Sequence, residues 1–147
     1  MSEKVLEFLK TKEVCTLAVQ MLDGSPHAAT VHFAYQAEPF TFVIFTNPKY
    51  RKAEPILKKD KVLASMVITN EEEPNQKTLQ LDGEITTLKA EEYRTVYLER
   101  FPKTAEKHSN DFPFIFTPTW WRFTDWSSPG GKTVITSDGN TAVTPKH

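Results

Sequence analysis

Three positively charged side chains follow a strongly apolar segment and could bind an anionic group. The segment 40–45 is followed by Thr46, and Lys49, Arg51 and Lys52 come next, where a short helix is predicted to begin. A helix start offers unpaired backbone N–H groups and the positive end of the helix dipole. One cationic side chain about 4 Å from a phosphate oxygen contributes about 4 kcal/mol of attraction before desolvation. The pattern is typical of a phosphate site.

A solvated basic surface is the alternative interpretation of these residues. Lys58, Lys59 and Lys61 continue the positive run after the predicted helix. Charge runs on short helices usually lie on a solvated face. Charge alone favours this alternative, so the phosphate site needs support from elsewhere in the sequence.

No other group of residues predicts a catalytic or metal site. His27 and His32 are five residues apart on a predicted strand, so they face opposite ways and cannot share a metal. Cys15 has no second cysteine in a CxxC pair and is predicted to be a small buried side chain. The common hydrolase, metalloprotease and nucleotide-binding motifs are missing from the sequence, so no catalytic residue and no metal ligand is assigned.

Composition limits the class of protein. The 147 residues suit one domain, and 18 basic against 19 acidic side chains give a net charge of −1, which argues against a nucleic-acid partner. The sequence contains no apolar run of about 20 residues and does not begin with a signal-peptide pattern, so no membrane partner is expected. A single cysteine fits a reducing compartment. We therefore expect a cytoplasmic protein.

Periodicity predicts a mainly β protein of the α+β type, a small antiparallel barrel with helical additions. The predicted domain covers residues 1–126, and a polar tail covers 127–147. The predicted helices are 3–12, 50–57 and 90–101, with a polar loop over 102–113. The predicted strands are 16–21, 28–35, 40–45, 62–68, 78–86, 114–116 and 120–126, with a tail hairpin from 133–136 and 141–143.

Two strands carry the clearest patterns. The strand 40–45 is apolar on both faces, which predicts cover from two sides. In 78–86, Leu79, Leu81 and Ile85 share one face and polar residues the other, which predicts one face on the core. In 120–126, alternation directs Trp120 and Trp126 to one face and Trp121 to the other.

Short motifs resemble those of the pyridoxamine 5'-phosphate oxidase-like superfamily. That family has an aromatic-Thr-Asn strand end followed by Ser-Arg-Lys at a helix start. This sequence has Phe45-Thr46-Asn47 and then Tyr50-Arg51-Lys52. The family's turn after this helix corresponds to Lys59-Asp60-Lys61-Val62. Its later strand corresponds to Lys77–Gly83. The resemblance covers residues 1–125. It implies an antiparallel split β-barrel with an N-terminal helix and two inserted helices, which binds flavin mononucleotide (FMN) and forms a homodimer with the site at the interface.

The resemblance also implies cofactor contacts, residue by residue. Arg51 and Lys52 would hold the flavin phosphate, Thr78 stands where the oxidases have a flavin-contacting Gln, and the partner subunit would add a Trp. The full set of cofactor-binding residues implied in this way is Ala29, Thr30, Val31 and His32 under the ring system, Phe45 beside it, Thr46, Tyr50, Arg51 and Lys52 at the phosphate, Thr78, and Trp121 with Arg122 from the partner subunit.

Departures from the family limit the predicted reaction. The true oxidases have a basic residue near the position of Thr30 and an Arg-Leu-His-Asp-type element where this chain has Ser128–Gly131. We therefore expect a flavin oxidoreductase with an unknown small-molecule substrate, not vitamin B6 oxidation. Arg100 falls near a substrate-phosphate position of the family. The alternatives are a non-catalytic, stress-related flavin-binding protein and a heme-handling relative that uses His108 or His147.

Overall fold

Nine strands and four α-helices make up the computed structural model, which describes residues 1–70, 76–139 and 141–144. The helices are α1 (Glu3–Lys10), α2 (Ala53–Lys58), α3 (Arg94–Arg100) and α4 (Thr104–Lys107), and a 3₁₀ helix (Ala90–Tyr93) precedes α3. The strands are β1 (Val14–Gln20), β2 (Pro26–His32), β3 (Ala34–Gln36), β4 (Thr41–Thr46), β5 (Val62–Asn70), β6 (Lys77–Thr86), β7 (Phe112–Asp125), β8 (Lys132–Thr136) and β9 (Thr141–Thr144).

The strands form one antiparallel sheet in the order β2-β1-β5-β6-β7-β4-β3, and β8 and β9 extend it from β7. Only Phe33 separates β2 from β3, so a nearly continuous segment pairs with β1 at its beginning and with β4 at its end. The two ends of the sheet are thereby joined through the chain. The split β-barrel predicted from the sequence is confirmed.

Aromatic rings fill the inside of this barrel. Phe42 lies 5.6 Å from Phe33 and 6.0 Å from Phe116 between ring centroids, at edge-on angles that suit aromatic pairs. Leu79, Leu81 and Ile85 point into the same core, as their alternation predicts. Cys15 is buried in β1, also as predicted, and burial raises the pKa of its thiol to about 12.

Strand β4 is covered on both faces, which confirms the prediction from its composition. Phe42 and Ile44 face the barrel core, whereas Val43 and Phe45 belong to a second apolar cluster. Tyr97 of α3 packs in that second cluster, so the helix covers the outside of the strand. This arrangement fixes the position of Thr46 at the end of β4, where the basic segment begins.

Several boundaries differ from the prediction. Helix 90–101 is a 3₁₀ turn followed by α3, and the loop 102–113 contains α4. The strands predicted at 114–116 and 120–126 are one strand, β7, because Pro118 lies where the register with β6 shifts beside Gly83. An irregular ladder tolerates a residue without an N–H donor. Helix α2 starts at Ala53, three residues after the predicted start.

The structure has the paired strands β8 and β9 where the tail hairpin was predicted, and β8 joins the main sheet through β7. Thr133 and Val134 are buried, so β8 packs on the barrel. Residue 140 lies outside the described residues. Within the described part of the chain, no helix has the length and apolar character needed to cross a membrane.

Arg100 connects the end of α3 to the end of α1. Its Nη2 donates to the carbonyl oxygens of Leu9, at 3.4 Å, and Lys12. The guanidinium also lies 5.3 Å from the ring centroid of Phe33 and 5.6 Å from that of Tyr35. The carbonyl of Leu9 also accepts from the N–H of Lys12 at 3.1 Å, so Arg100 joins the turn that follows α1 to the end of α3.

We expect Arg100→Met to lower the free energy of unfolding by about 1–3 kcal/mol, because hydrogen bonds and a cation–π contact are lost together. Urea unfolding followed by circular dichroism measures this change. Glu91→Gln is the control, since it breaks an exposed pair with Arg94 and should cost only about 0.5 kcal/mol. Equal effects of the two substitutions would contradict an anchoring role for Arg100.

Candidate functional site

The basic segment begins with a tight turn built by Asn47. Its side-chain Oδ1 accepts from the N–H of Lys49 at 2.9 Å, and its carbonyl oxygen accepts from the N–H of Tyr50 at 3.1 Å. The N–H groups of Ala53 and Glu54 donate to the carbonyls three residues earlier, those of Tyr50 and Arg51, and the α-helix α2 begins at Ala53. Among the residues described, the backbone N–H groups of Arg51 and Lys52 find no acceptor, so both remain available to an anion.

Lys52 is a buried cation, with 6% of its surface exposed. Its Nζ lies 4.7 Å from the ring centroid of Tyr50. Burial lowers the pKa of Lys52, and the charge of Asp111 opposes that shift. The ion pairs formed within the described residues do not include Lys52, so its charge has no carboxylate within 4.0 Å. A buried charge without such a partner is costly and suits a binding site for an anion.

Arg51 is adjacent in sequence but lies in different surroundings. It is exposed and lines a groove of about 580 Å³ together with Asp23 and Glu54. Hydrogen bonds from Ser25 lower the pKa of Asp23, and the charge of Arg51 contributes to the same shift. Each cation therefore has one carboxylate that acts on it without forming an ion pair, Asp23 for Arg51 and Asp111 for Lys52. The two cations differ in burial, since Arg51 is exposed and Lys52 is buried.

Thr46 and Phe45 lie directly before this segment. Thr46 is 2% exposed, and its hydroxyl makes only a long hydrogen bond of 3.4 Å, to the carbonyl of Asn47. The ring of Phe45 stacks on Tyr97 with 4.4 Å between centroids and an angle of 19°. Arg94 covers Phe45 at 5.1 Å. Phe45 thus packs between β4 and α3, and its contact with a flavin stays a prediction.

The four residues of β2 that were predicted to lie under the flavin ring, 29–32, divide between the two faces of the strand. Ala29 and Val31 are opposite Leu17 and Cys15 of β1, which are core residues, so this pair faces inward. Thr30 and His32 are exposed on the outside. Only these two, among the side chains of 29–32, can reach a molecule bound outside the barrel.

The predicted residues of β6 and β7 lie elsewhere on the sheet. Trp121 is opposite Leu81 and packs against the core, whereas Trp120 and Trp126 are partly exposed on the other face, as alternation predicts. Arg122 is opposite Gln80 on the outside, and its buried Nε has no hydrogen-bond partner among the described residues. Thr78 is half-buried on that same side of β6.

These positions are far from the basic segment within one chain. Thr46 pairs with Phe112 at the beginning of β7, and Arg122 follows ten residues later on that strand. Ten residues of strand cover roughly 33 Å. The structure therefore brings Thr46, Tyr50 and Lys52 together, but not Arg122 with them.

The outward-pointing side of β1, β2, β5, β6 and the part of β7 from Trp120 onward, called the outer face below, has little covering it. Directly opposite residues form a row across it: Ala28, Ala18, Ser65, Asp82 and, on β7, Trp120. Val14 and Leu63 are 41% and 57% exposed on this face. A shallow cavity of about 420 Å³ lies along the row. Small and apolar side chains on an open sheet face suit contact with another surface.

The burial of Lys52 was not predicted from the sequence, and neither was its proximity to Asp111. Asp111 falls in the segment predicted as a polar loop, so nothing in the pattern connects it to the basic segment. The pairing of Thr46 with Phe112 brings the residue before β7 close to the end of β4. Lys52 and Asp111 are brought close by the pairing of β4 with β7, whose paired residues Thr46 and Phe112 are 66 positions apart in the sequence.

Comparison with known proteins gives a family and a fold. A family model described as pyridoxamine 5'-phosphate oxidase matches residues 1–125. No curated protein matches the sequence. Similar solved structures include a heme binding protein from Mycobacterium smegmatis, with a TM-score of 0.65 and 15% identity over 88% of this chain. This chain spans only 55% of that protein's length.

Two further structures are similar over most of both chains. The heme storage protein HutZ from Vibrio cholerae has a TM-score of 0.62 and 17% identity, with 78% of this chain and 87% of that chain covered. A protein from Clostridium acetobutylicum, related to general stress protein 26, has a TM-score of 0.62 and 15% identity, with 92% and 93% covered. At such identities these similarities establish the fold alone.

Proposed function

The chain belongs to the pyridoxamine 5'-phosphate oxidase family, and on that premise we propose that it binds FMN and acts as an oxidoreductase. The substrate is a small molecule other than the family's vitamin B6 compound, since the sequence lacks the oxidases' substrate-binding elements. The proposal rests above all on Lys52, a buried cation that forms no ion pair with the described residues, at the position where the family holds the flavin phosphate.

Each residue of the basic segment has a defined task in this proposal. Lys52 and Arg51 hold the phosphate by charge-assisted hydrogen bonds, and their free backbone N–H groups add two neutral donors. The hydroxyl of Thr46 exchanges its long internal bond for a phosphate oxygen. The bound flavin supplies the redox chemistry, while the protein positions it and excludes water. We assign no general acid or base.

We also propose that two copies of the chain form the site together. Thr78 and Arg122 lie too far from Lys52 in one chain to contact the same cofactor. The outer face, which carries Thr30, Thr78 and Arg122, is an open sheet surface with exposed apolar side chains. A second copy packed there would bring its Arg122 to the cofactor and supply an acceptor for the buried Nε.

Leu63→Arg is expected to weaken self-association at least tenfold, because each copy would place an unpaired charge in the interface. Sedimentation velocity over a range of protein concentrations measures the shift from dimer to monomer. Leu88→Arg is a matched control, since Leu88 is 59% exposed but lies on a loop away from the outer face. A wild-type protein that is monomeric at all concentrations would refute the two-copy site.

The absorbance spectrum of the purified protein tests the flavin proposal, with FMN titration if the protein is isolated without it. Tight binding of FMN supports the proposal, and no binding refutes it. Stopped-flow mixing of the FMN-loaded protein with NADH and NADPH then separates an oxidoreductase from a non-catalytic carrier. Bleaching of the flavin by either donor favours the enzyme, and no bleaching by both favours the carrier.

A heme-handling function is the second candidate, because His32 and His108 line one cavity. Two of the structurally similar proteins are a heme binding and a heme storage protein. Titration with hemin tests this candidate through the Soret band. A shifted band that is lost in His108→Ala supports iron ligation by His108. His147, the other predicted ligand, lies outside the described residues.

A further inference from the structure

The aromatic ring of Tyr50 lies over the buried cation of the basic segment. Tyr50 is 59% exposed, yet the Nζ of Lys52 lies 4.7 Å from the centroid of its ring. That distance is within the range of a cation–π contact. Lys52 itself is only 6% exposed, so an exposed ring covers part of a buried charge.

Backbone hydrogen bonds fix the place of this ring. The N–H of Tyr50 donates to the carbonyl of Asn47 at 3.1 Å, and the carbonyl of Tyr50 accepts from the N–H of Ala53 at 2.9 Å. Tyr50 is therefore tied to the Asn47 turn on one side and to the first residue of α2 on the other. Lys52 directly precedes α2, so one short hydrogen-bonded segment carries both the ring and the ammonium group.

A neutral ring suits a lysine that has to remain available to an anion. Among the described residues, no carboxylate lies within 4.0 Å of the Lys52 Nζ, and Asp111 acts on it only from further away. A lysine side chain loses considerable conformational freedom when it is held in one place. The face of a ring attracts a cation but adds no negative charge that would repel a phosphate. The ring can thus hold Lys52 without competing with the anion.

We propose that Tyr50 is a positioning residue, whose ring holds the ammonium group of Lys52 in place for an incoming phosphate and shields it from water. The ring acts through Lys52, and the hydroxyl of Tyr50 has no part in this role. The family motif has Ser at this position, so an aromatic ring here is a departure of this chain from the motif. The inference rests on the proposed function only where it takes the phosphate to be that of FMN, because the contact between Tyr50 and Lys52 lies within the chain.

The NMR spectrum of the full chain without flavin tests the contact itself. Protons beside the face of an aromatic ring resonate upfield, so the ε protons of Lys52 should lie upfield of those of the other lysines. Lys52→Met identifies their signal by its loss. Tyr50→Phe keeps the ring and should keep the upfield shift, whereas Tyr50→Leu keeps apolar bulk and should lose it. A Lys52 signal that is the same in wild type and Tyr50→Leu overturns the proposal.

Titration of flavin fluorescence measures the effect on cofactor binding. Tyr50→Leu should weaken FMN about tenfold, and Tyr50→Phe should stay within about twofold of wild type, because only the first loses the ring. Equal losses in the two variants would assign the role to the hydroxyl and overturn the proposal, and so would unchanged affinity in Tyr50→Leu. Thermal unfolding should be the same in all three proteins, since Tyr50 is exposed.

Inorganic phosphate distinguishes a failure of this inference from a failure of the proposed function. It should move the Lys52 signal in wild type and Tyr50→Phe alike, and in Tyr50→Leu only at about tenfold higher concentration. If phosphate does so and FMN does not bind, the flavin proposal fails and the role of Tyr50 stands. If FMN binds equally to all three proteins, the flavin proposal stands and the role of Tyr50 fails. A wild-type Lys52 signal that phosphate does not move also overturns that role.

Discussion

Arg51→Ala combined with Lys52→Met is expected to weaken FMN binding by about 2–4 kcal/mol while the fold stays intact. Charge-assisted hydrogen bonds contribute about 1.5–3 kcal/mol each, and the two contributions are not fully additive. Arg51 is exposed and Lys52 is buried, where a charge interaction is less screened by water, so most of the loss should come from Lys52. Titration of flavin fluorescence against the protein measures the two dissociation constants.

Methionine at position 52 keeps the apolar stem of the lysine and removes only its charge. Burial lowers the pKa of Lys52, so the folded state disfavours the protonated form and becomes relatively more stable as pH rises through that lowered pKa. Removal of the charge should therefore leave the stability of the cofactor-free protein unchanged or raise it by about 1 kcal/mol. Thermal unfolding without FMN separates this outcome from a simple loss of folding.

The pH dependence of binding gives an independent check on Lys52. Because its pKa lies below that of a free lysine, the cation is lost at a lower alkaline pH, and FMN affinity should decline over that range. The decline should be absent in Lys52→Met. A control with Lys58→Ala and Lys59→Met removes two exposed lysines and should leave affinity unchanged. Equal affinity in wild type and the Arg51/Lys52 variant would exclude both residues from the cofactor site.

Alternation and composition predicted much of the barrel but not the continuity of β7. The period of two in β6 and the apolar composition of β4 report directly on which faces are buried, so both predictions hold. A proline usually interrupts a strand, and the sequence on either side of Pro118 predicts two strands where the structure has the single strand β7. The proline is tolerated because the register shifts beside Gly83, and that shift depends on the paired strand, not on the local sequence.

The candidate site was predictable in its residue types but not in its geometry. Arg51 and Lys52 are both cations, and the sequence alone does not distinguish the exposed one from the buried one. The structure separates them: Lys52, which directly precedes α2, is buried, whereas Arg51 lines the exposed groove beside Asp23 and Glu54. Similarly, Thr30 and Ala29 are equivalent candidates until the register with β1 decides which faces outward.

Gly83→Ala is expected to destabilise the protein by about 3 kcal/mol or more. A Cβ added at Gly83 would lie 2.4 Å from the backbone oxygen of Thr117 and 2.8 Å from Cζ of Phe116. Backbone cannot move aside as a flexible side chain can, so β6 and β7 must separate where their register shifts. Overpacking of this kind commonly costs 1–3 kcal/mol, and loss of strand pairing adds to it. Chemical unfolding monitored by circular dichroism measures the change.

Gly24→Ala is the control for the loss of stability, because it adds backbone strain without a steric clash. Gly24 has a φ of +87° in the turn between β1 and β2, but nothing lies within 4 Å of an added Cβ, so only the backbone strain of about 1 kcal/mol is expected. If Gly83→Ala costs no more than Gly24→Ala, the close approach of β6 and β7 is refuted.

Separation of these strands would also displace Asp82 and Trp120, which lie opposite each other on the outer face. Gly83→Ala should therefore weaken self-association as well as folding, because the same close contact shapes both the barrel and the surface proposed to receive a second copy.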